Sequence, residues 1–291
     1  MGNSIKLALE PVSEDIAVKA FRLQLNSEIA IDKVIVLVEG STDNNFYTKF
    51  FNKNAFLYKS EYGCGHFRDI LKTLSKRYGN RFIVIKDADF DLVNTIDYSM
   101  YPNLFLTDYH DIEIMCAFFN NEAEKFITTK MLNVFAQGLF NNVLEDIINI
   151  SFIKWFNNIT ENKIGCNELI GCYKANVKIS LEECLNKQQL KHGTSFSKDD
   201  VEKFISNNSF VDKRMITNGH DFCNALGKII TEKRIKISKA EKHLFNKVGI
   251  SGKDIQNELE SAFSNSDFSN TNLYKAISKW QISNNCNILA V

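Results

Sequence analysis

Acidic residues follow predicted strands at the points where those strands end. Glu39 comes directly after VIVLV (34–38), a run of β-branched residues and leucine. Asp87 and Asp89 close a second such run, RFIVIKDAD (81–89). Because the carboxyl ends of parallel strands meet at one edge of a sheet, we expect these carboxylates to lie close together there.

Converging carboxylates repel one another and lose hydration, and a bound divalent cation offsets both costs. Hard oxygen ligands favour Mg²⁺, Mn²⁺ or Ca²⁺ over Zn²⁺. Such ions can orient a phosphodiester, activate a water and stabilise the leaving oxygen. A third predicted strand, NLFLTDYHD (103–111), carries acids at and after its end: Asp108, Asp111 and Glu113. The pattern predicts a site for metal-dependent phosphate-ester chemistry.

Each acid also has a simpler interpretation. Glu39 alone is typical of a solvated loop or helix cap, and Asp43 alone of a favourable charge near a helix N-terminus. Asp87, Asp89 and Asp91 alone are compatible with an acidic turn. Their occurrence together at successive strand ends is what favours a functional site.

The elements that position these acids alternate in type. Helical spacing predicts helices over residues 12–28, 42–52 and 66–79, and β-branched content predicts strands over 33–38, 54–61, 81–89 and 103–111. This alternation predicts an α/β fold with about four parallel strands, and beyond Ile112 the chain reads as mainly α-helical. We therefore expect an N-terminal helical segment (1–32), an α/β domain (33–120) and a large helical region (121–291) that is separate, packed on the sheet or inserted into the α/β domain.

Composition and charge narrow the class of protein. The 291 residues carry a formal net charge of zero, so nucleic-acid binding would need a local basic patch. No stretch approaches the roughly 20 apolar residues of a membrane span, and the N-terminus lacks a secretion signal. Seven cysteines are scattered without metal-ligand spacing, which favours reduced thiols in a cytoplasmic protein. No phosphate-binding G-x-x-x-x-G-K-[ST] motif is present, so ATP hydrolysis by this chain is not expected.

Two motifs carry a family resemblance. VLVEGSTDNNFY (36–47) and IVIKDADFD (83–91) resemble the strand-Glu-Gly-helix and strand-Asp-x-Asp signature of the TOPRIM fold, a Rossmann-like fold shared by topoisomerases, bacterial primases and OLD-type nucleases. A third motif, TDYHDIEIM (107–115), resembles the family of the TOPRIM nuclease subunit of the PARIS anti-phage system. No tyrosine-nucleophile domain, primase zinc module or fused ATPase is visible, which favours a nuclease.

The resemblance implies roles for individual residues. Glu39 matches the family's general base or metal ligand, and Gly40 matches the glycine that lets the backbone turn close to the site. Asp87 and Asp89 match the metal-binding pair for Mg²⁺ or Mn²⁺. Asp43 matches an additional acid of OLD-like members.

Further residues are candidates from their positions. Glu113 is our choice for a further metal ligand, and Lys86 stands beside the acids, where it could stabilise developing charge. Asp91, His110 and Asp111 are secondary candidates near the same strand ends. His220 also is secondary, because NGHD (218–221) opens a predicted helix and is more simply a helix start.

Two basic stretches are candidates for contact with phosphates. KIITEKRIKISKAEKH (228–243) includes Lys233, Arg234, Lys236 and Lys239, and its other interpretation is a solvated basic face. A weaker candidate comprises Lys72, Lys76, Arg77, Arg81 and Lys86.

The resemblance also implies a biological role and partners. Members act as toxic, metal-dependent nucleases in abortive infection, with tRNA as the substrate class, and a partner ABC-type ATPase encoded nearby holds them inactive. A bacterial, cytoplasmic protein is expected, with no membrane partner and a homodimer as one form of the active state. Three alternatives stay open: a DNA endonuclease or nickase of OLD type, a non-catalytic regulatory subunit, and a phosphatase built on the D-x-D strand.

Overall fold

A computed structural model describes residues 14–161, 163–240, 245 and 249–290. Four strands occur in these ranges: β1 Val34–Val38, β2 Ala55–Lys59, β3 Phe82–Lys86 and β4 Leu104–Leu106. The first helices are α1 Glu14–Leu25, α2 Ser41–Thr48, α3 Phe67–Tyr78, α4 Ile112–Phe119, α5 Ala123–Leu132 and α6 Leu139–Ile159. They are followed by α7 Leu181–His192, α8 Lys198–Asn208, α9 Gly219–Ala240, α10 Gly252–Ala262, α11 Asn265–Asn270 and α12 Asn272–Ser283.

The four strands form one all-parallel sheet in the order β2-β1-β3-β4. Val36 pairs with Leu57 on one side and with Ile83 on the other, so β1 is a central strand. All five residues of β1 are buried, as the unbroken apolar run VIVLV requires of a strand covered on both faces. The predicted α/β fold with about four parallel strands is confirmed.

The chain divides into two compact units. The sheet unit takes its residues from Met1–Lys86, Asp97–Leu106 and Asn272–Val291. The helical unit comprises Asp87–Ile96 and Thr107–Thr271. These units divide the chain differently from the predicted ranges 1–32, 33–120 and 121–291, because α1 and α12 both belong with the sheet.

The core of the sheet unit lies between the sheet and two helices. Phe21 of α1, Phe67 and Leu71 of α3 and Phe82 of β3 are at most 2% exposed and belong to one cluster. The C-terminal segment joins the same unit, since the backbone N–H of Asn52 donates to the Ile288 carbonyl at 2.8 Å. These apolar contacts explain why helices distant in sequence pack with the strands.

The helical unit has its own aromatic cluster. Phe152 and Trp155 of α6 are buried with Ile216, and the Phe204 ring lies edge-on to Trp155 at 4.9 Å. Trp155 Nε1 donates to Asn94 Oδ1 at 2.7 Å, which fixes the indole. None of the helices in the described part of the chain is both long and apolar enough to cross a membrane.

All four strands are shorter than predicted, and the difference is largest for β3 and β4. β3 ends at Lys86 rather than at residue 89, and β4 comprises Leu104–Leu106 rather than 103–111. The backbone after β3 leaves the sheet ladder because the N–H of Ala88 donates to Thr107 Oγ1 at 2.9 Å and that of Asp89 to the His110 carbonyl at 2.7 Å. Asp87, Asp89 and Asp108 therefore lie in loops after the strands and not in the strands themselves.

Candidate functional site

In the sheet unit, the carboxyl ends of β1 and β3 are neighbours. The strands are hydrogen-bonded in parallel, with Leu37 opposite Val84. Glu39 directly follows β1, Lys86 is the last residue of β3, and both are half-buried. A carboxylate and an ammonium group are thus presented by adjacent strand ends of one sheet.

Asp43 acts on the helix that follows β1. Its Oδ2 accepts the backbone N–H of Gly40 at 3.0 Å, across the first turn of α2. A carboxylate in this position satisfies an N–H that the helix leaves unpaired and complements the helix dipole. The contact gives Asp43 a local role in fixing the turn after Glu39.

In the helical unit, Asp87–Asp91 forms a turn with an uncommon backbone conformation. Asp89 has a φ of +47°, in the left-handed region that non-glycine residues seldom adopt. Its N–H bond to the His110 carbonyl holds it there, and the N–H of Asp91 donates to the Ala88 carbonyl at 2.8 Å. Such conformations cluster at functional sites, where surrounding contacts over-determine them.

His110 and Asp111 form a buried pair. His110 Nδ1 lies 3.0 Å from Asp111 Oδ2, and the two residues are 3% and 5% exposed. Asp111 also caps α4, because its Oδ1 accepts the N–H of Ile114 at 3.1 Å. Burial alone would raise the pKa of the Asp111 carboxyl, but the His110 bond and the backbone N–H groups of Gly219 and Ile114 hold that pKa below its usual value.

The start of α9 contacts the same carboxylate. The N–H of Gly219 donates to Asp111 Oδ2 at 2.6 Å, and the N–H of Asp221 donates to Asn218 Oδ1 at 3.2 Å, which caps the helix. His220 is exposed, and its Nδ1 lies 3.4 Å from Oε1 of the buried Glu113. NGHD is therefore a helix start whose backbone is fitted to Asp111.

A buried ion pair lies in the same unit. Lys154 Nζ is 2.6 Å from Asp221 Oδ2, with the two side chains 15% and 7% exposed. Burial raises the pKa of the Asp221 carboxyl above its ordinary value, and the Lys154 ammonium offsets only part of that effect.

These groups line or adjoin a pocket of about 410 Å³. Its wall comprises Asp89, Phe90, His110, Lys154, Asn157, Asn158, Lys163, Ile164, Gly165, Cys166, Asn167 and Asn218. Of the predicted candidates, Asp89 and His110 line this pocket. Asp111 contacts His110 but does not line the pocket. The other candidates that are not among the lining residues are Glu113, Asp91, Asp108 and His220.

The predicted basic stretch on α9 is only partly exposed. Arg234 is buried, and its Nε donates to the Met131 carbonyl at 2.6 Å. Lys236 and Lys239 are exposed and Lys233 is half-buried, whereas Lys242 and His243 lie outside the described residues. In the sheet unit, Arg81 donates to the carbonyls of Leu25 and Ala30, each at 2.9 Å. Arg234 and Arg81 thus bind backbone carbonyls, and phosphate contact in these stretches depends on the lysines and on the exposed Arg77.

Carboxylate oxygens are the type of ligand that hard divalent cations prefer. Mg²⁺ is usually bound by one or two carboxylates, with waters and substrate phosphates completing its coordination. Within the described ranges, no three His, Cys, Asp or Glu side chains are grouped closely enough to hold a metal ion by themselves. A metal ion held by fewer protein ligands would need waters or a substrate phosphate to complete its coordination.

The groups that α6 contributes were not predicted. Lys154 is the one charged residue between Asp146 and Glu161, and its neighbours in sequence, Ile153 and Trp155, are apolar. That isolation is a signal for a buried, paired ammonium. No comparable signal marks Asn157 or Lys163.

Comparison of the chain with protein-family models, with curated proteins and with solved structures found no match.

Proposed function

We propose that this chain is a divalent-metal-dependent nuclease of the TOPRIM, OLD-like type. The observation that carries the proposal is the parallel pairing of β1 with β3, because the Glu-Gly motif follows one strand and the Asp-x-Asp motif follows the other. Parallel neighbours end at the same sheet edge, which is where ligands bind in open α/β sheets. The uncommon backbone conformation of Asp89 supports a functional turn after β3.

Each acid has a role in this proposal. The family resemblance assigns binding of Mg²⁺ or Mn²⁺ to Asp87 and Asp89, and the role of general base or further ligand to Glu39. When bound, the ion supplies charge stabilisation at the phosphate and lowers the pKa of a coordinated water. Lys86, at the end of β3, would stabilise negative charge on the phosphate oxygens. Gly40 and Asp43 fix the turn that presents Glu39.

The biological part of the proposal comes from TDYHDIEIM (107–115) and its family resemblance. We propose a toxic effector of anti-phage defence that cleaves RNA such as tRNA and is controlled by an ABC-type ATPase partner. In this motif, Asp111 fixes α4 and His110, which gives its Asp and His residues a physical reason to occur together.

The first test measures cleavage of tRNA and of DNA by the purified chain with Mg²⁺, Mn²⁺ or a chelator. We expect metal-dependent products, and we expect Glu39→Gln and Asp87→Asn each to reduce the rate at least about 100-fold, as the loss of a catalytic or metal-binding group does. Glu61→Gln is the matched control, since Glu61 follows the neighbouring strand β2 and is exposed. Its rate should equal that of the wild type.

The same assay separates the other functions. Products from DNA but not from tRNA would replace the RNA assignment with a DNA nuclease. Release of phosphate from a small aryl phosphate, without strand cleavage, would indicate a phosphatase. No product from any substrate, with the partner ATPase absent and then present, would leave a regulatory subunit and refute the nuclease.

A further inference from the structure

The second nitrogen of His110 lacks a hydrogen-bond partner among the described residues. Nδ1 contacts the Asp111 carboxylate, which already accepts N–H groups from Gly219 and Ile114 and can only accept again. Nδ1 therefore carries the proton, and in the neutral ring Nε2 is an acceptor. Nε2 is buried and unpaired, and leaving a buried acceptor without a hydrogen bond costs free energy of folding. A ligand group that donates a hydrogen bond would remove that cost.

The rest of the pocket wall offers donors. Asn157 Oδ1 accepts the N–H of Ile164 at 2.8 Å, and Asn218 Oδ1 accepts the N–H of Asp221. The side-chain oxygens are thus in use, and the NH₂ groups of both asparagines are the groups that can donate to a ligand. Lys163 and Lys154 add two ammonium groups. Lys163 Nζ also donates to the backbone carbonyls of Asn157 and Asn158, and Lys154 is paired with Asp221. With the Asp89 carboxylate in the same wall, the pocket combines one unmet acceptor and several donors with charges of both signs, which suits a ligand carrying hydroxyl groups and an anionic group.

The pocket also has a ligand's size and an aromatic side. Its volume of about 410 Å³ lies within the roughly 300–1,000 Å³ of small-molecule sites. The half-buried Phe90 ring lies edge-on to His110, with centroids 4.9 Å apart, and lines the same wall. Aromatic rings next to basic groups are the usual surface for stacking a base.

We propose that this pocket binds a nucleotide. A sugar hydroxyl donates to His110 Nε2, the phosphate contacts Lys163, and the base lies against Phe90. A free ribonucleotide and a nucleotide within an RNA chain both carry these groups, so either could be the ligand. The proposal goes beyond the nuclease assignment and does not depend on it, because all the groups involved belong to the helical unit.

The experiment is calorimetric titration of the full chain in the presence of chelator. Uridine and adenosine 5′-monophosphates, the trinucleotide UpUpU, ribose 5-phosphate and inorganic phosphate are each titrated. We expect saturable binding of at least one ribonucleotide, with ribose 5-phosphate and phosphate binding more weakly.

His110→Asn is the discriminating variant. Asparagine keeps an N–H near the Nδ1 position for Asp111 but removes the Nε2 acceptor, so the fold should persist while the dissociation constant rises at least about tenfold. Lys163→Ala should also weaken binding. Lys203→Ala, an exposed lysine on α8, is the control and should bind as the wild type does.

Tighter binding of UpUpU than of either monophosphate would identify the ligand as part of an RNA chain, and the reverse order would identify a free nucleotide. No saturable binding of any ribonucleotide would overturn the proposal, as would His110→Asn with wild-type affinity and an unchanged melting temperature. Equal affinity for ribose 5-phosphate would refute recognition of the base. Because chelator is present, these outcomes are independent of cleavage.

Discussion

At the residue scale, the backbone of Gly219 lies so close to Asp111 that a residue with a Cβ would clash there. Its N–H donates to Asp111 Oδ2, and a Cβ added at this position would lie 2.5 Å from Glu113 Cβ and closer still to Asp111 Oδ1. The φ angle is not what demands glycine here; the missing Cβ is. The contact ties the first turn of α9 to the first turn of α4.

Gly219→Ala should destabilise the helical unit. Overpacking of this kind costs roughly 1–3 kcal/mol, which outweighs the gain of alanine over glycine in a helix. In a Trp280→Phe background the remaining tryptophan, Trp155, reports on the helical unit during urea unfolding. Gly171→Ala is the matched control, because an added Cβ there meets nothing within 4 Å. Equal stability of both variants would contradict the steric argument.

Residue types at the strand ends are readable from sequence, but their partners are not. Glu39, Asp87 and Asp89 are identifiable because each follows an apolar run. The bond from Gly219 to Asp111 spans 108 positions, and no local pattern encodes which backbone N–H a carboxylate will accept. The orphaned Nε2 of His110 is likewise a property of the packed structure.

At the element scale, β-branched content correctly predicts that the four strands exist, but it does not predict the residues at which they end. β1 is predicted to within one residue, because Glu39 and Gly40 stop the apolar run. β3 continues in sequence as Asp87-Ala88-Asp89, and only the bonds from this segment to Thr107 and His110 end it at Lys86. Tertiary hydrogen bonds therefore decided the boundary.

The C-terminal segment from Asn272 belongs to the sheet unit, whereas the sequence pattern places it in the predicted helical region (121–291). Ile288 and Leu289 are 0% and 3% exposed, and the N–H of Ala290 donates to the Phe50 carbonyl at 2.9 Å. The apolar sequence NILAV (287–291) does not indicate which part of the protein it packs against.

Ile288→Ala should cost about 2–5 kcal/mol, as buried Ile→Ala changes do. Ile282→Ala, at 75% exposure on α12, should change stability by less than about 0.5 kcal/mol. Urea unfolding in a Trp155→Phe background, where Trp280 reports on the sheet unit, measures both. A small effect at Ile288 would mean that the segment is not part of the sheet unit's core.

At the scale of the whole molecule, none of the seven cysteines forms a disulfide, as the scattered spacing predicts. Cys116, Cys166, Cys184 and Cys223 are buried, while Cys64, Cys172 and Cys286 are partly exposed. Burial raises the pKa of Cys166 to about 11 and that of Cys184 to about 12, which suppresses the reactive thiolate at neutral pH.

A thiol reagent at pH 8 should therefore modify at most three cysteines rapidly in the native protein and all seven in guanidinium chloride. The measurement is a time course of reagent absorbance, with mass spectrometry to assign the sites. Rapid modification of Cys166 or Cys184 would contradict their burial, and fewer than seven in denaturant would reveal a disulfide.

The division of the chain into units has a consequence for its synthesis. The polypeptide passes between the units four times, and the sheet unit receives α12 and Ile288 only from its final segment. On the ribosome, where domains fold as their residues emerge, the helical unit has all its residues once Thr271 is made. The sheet unit must wait for the segment that begins at Asn272. A nascent chain stalled before residue 272 would therefore carry Glu39 on an incomplete scaffold, so that any chemistry at that sheet edge begins only after this segment has emerged.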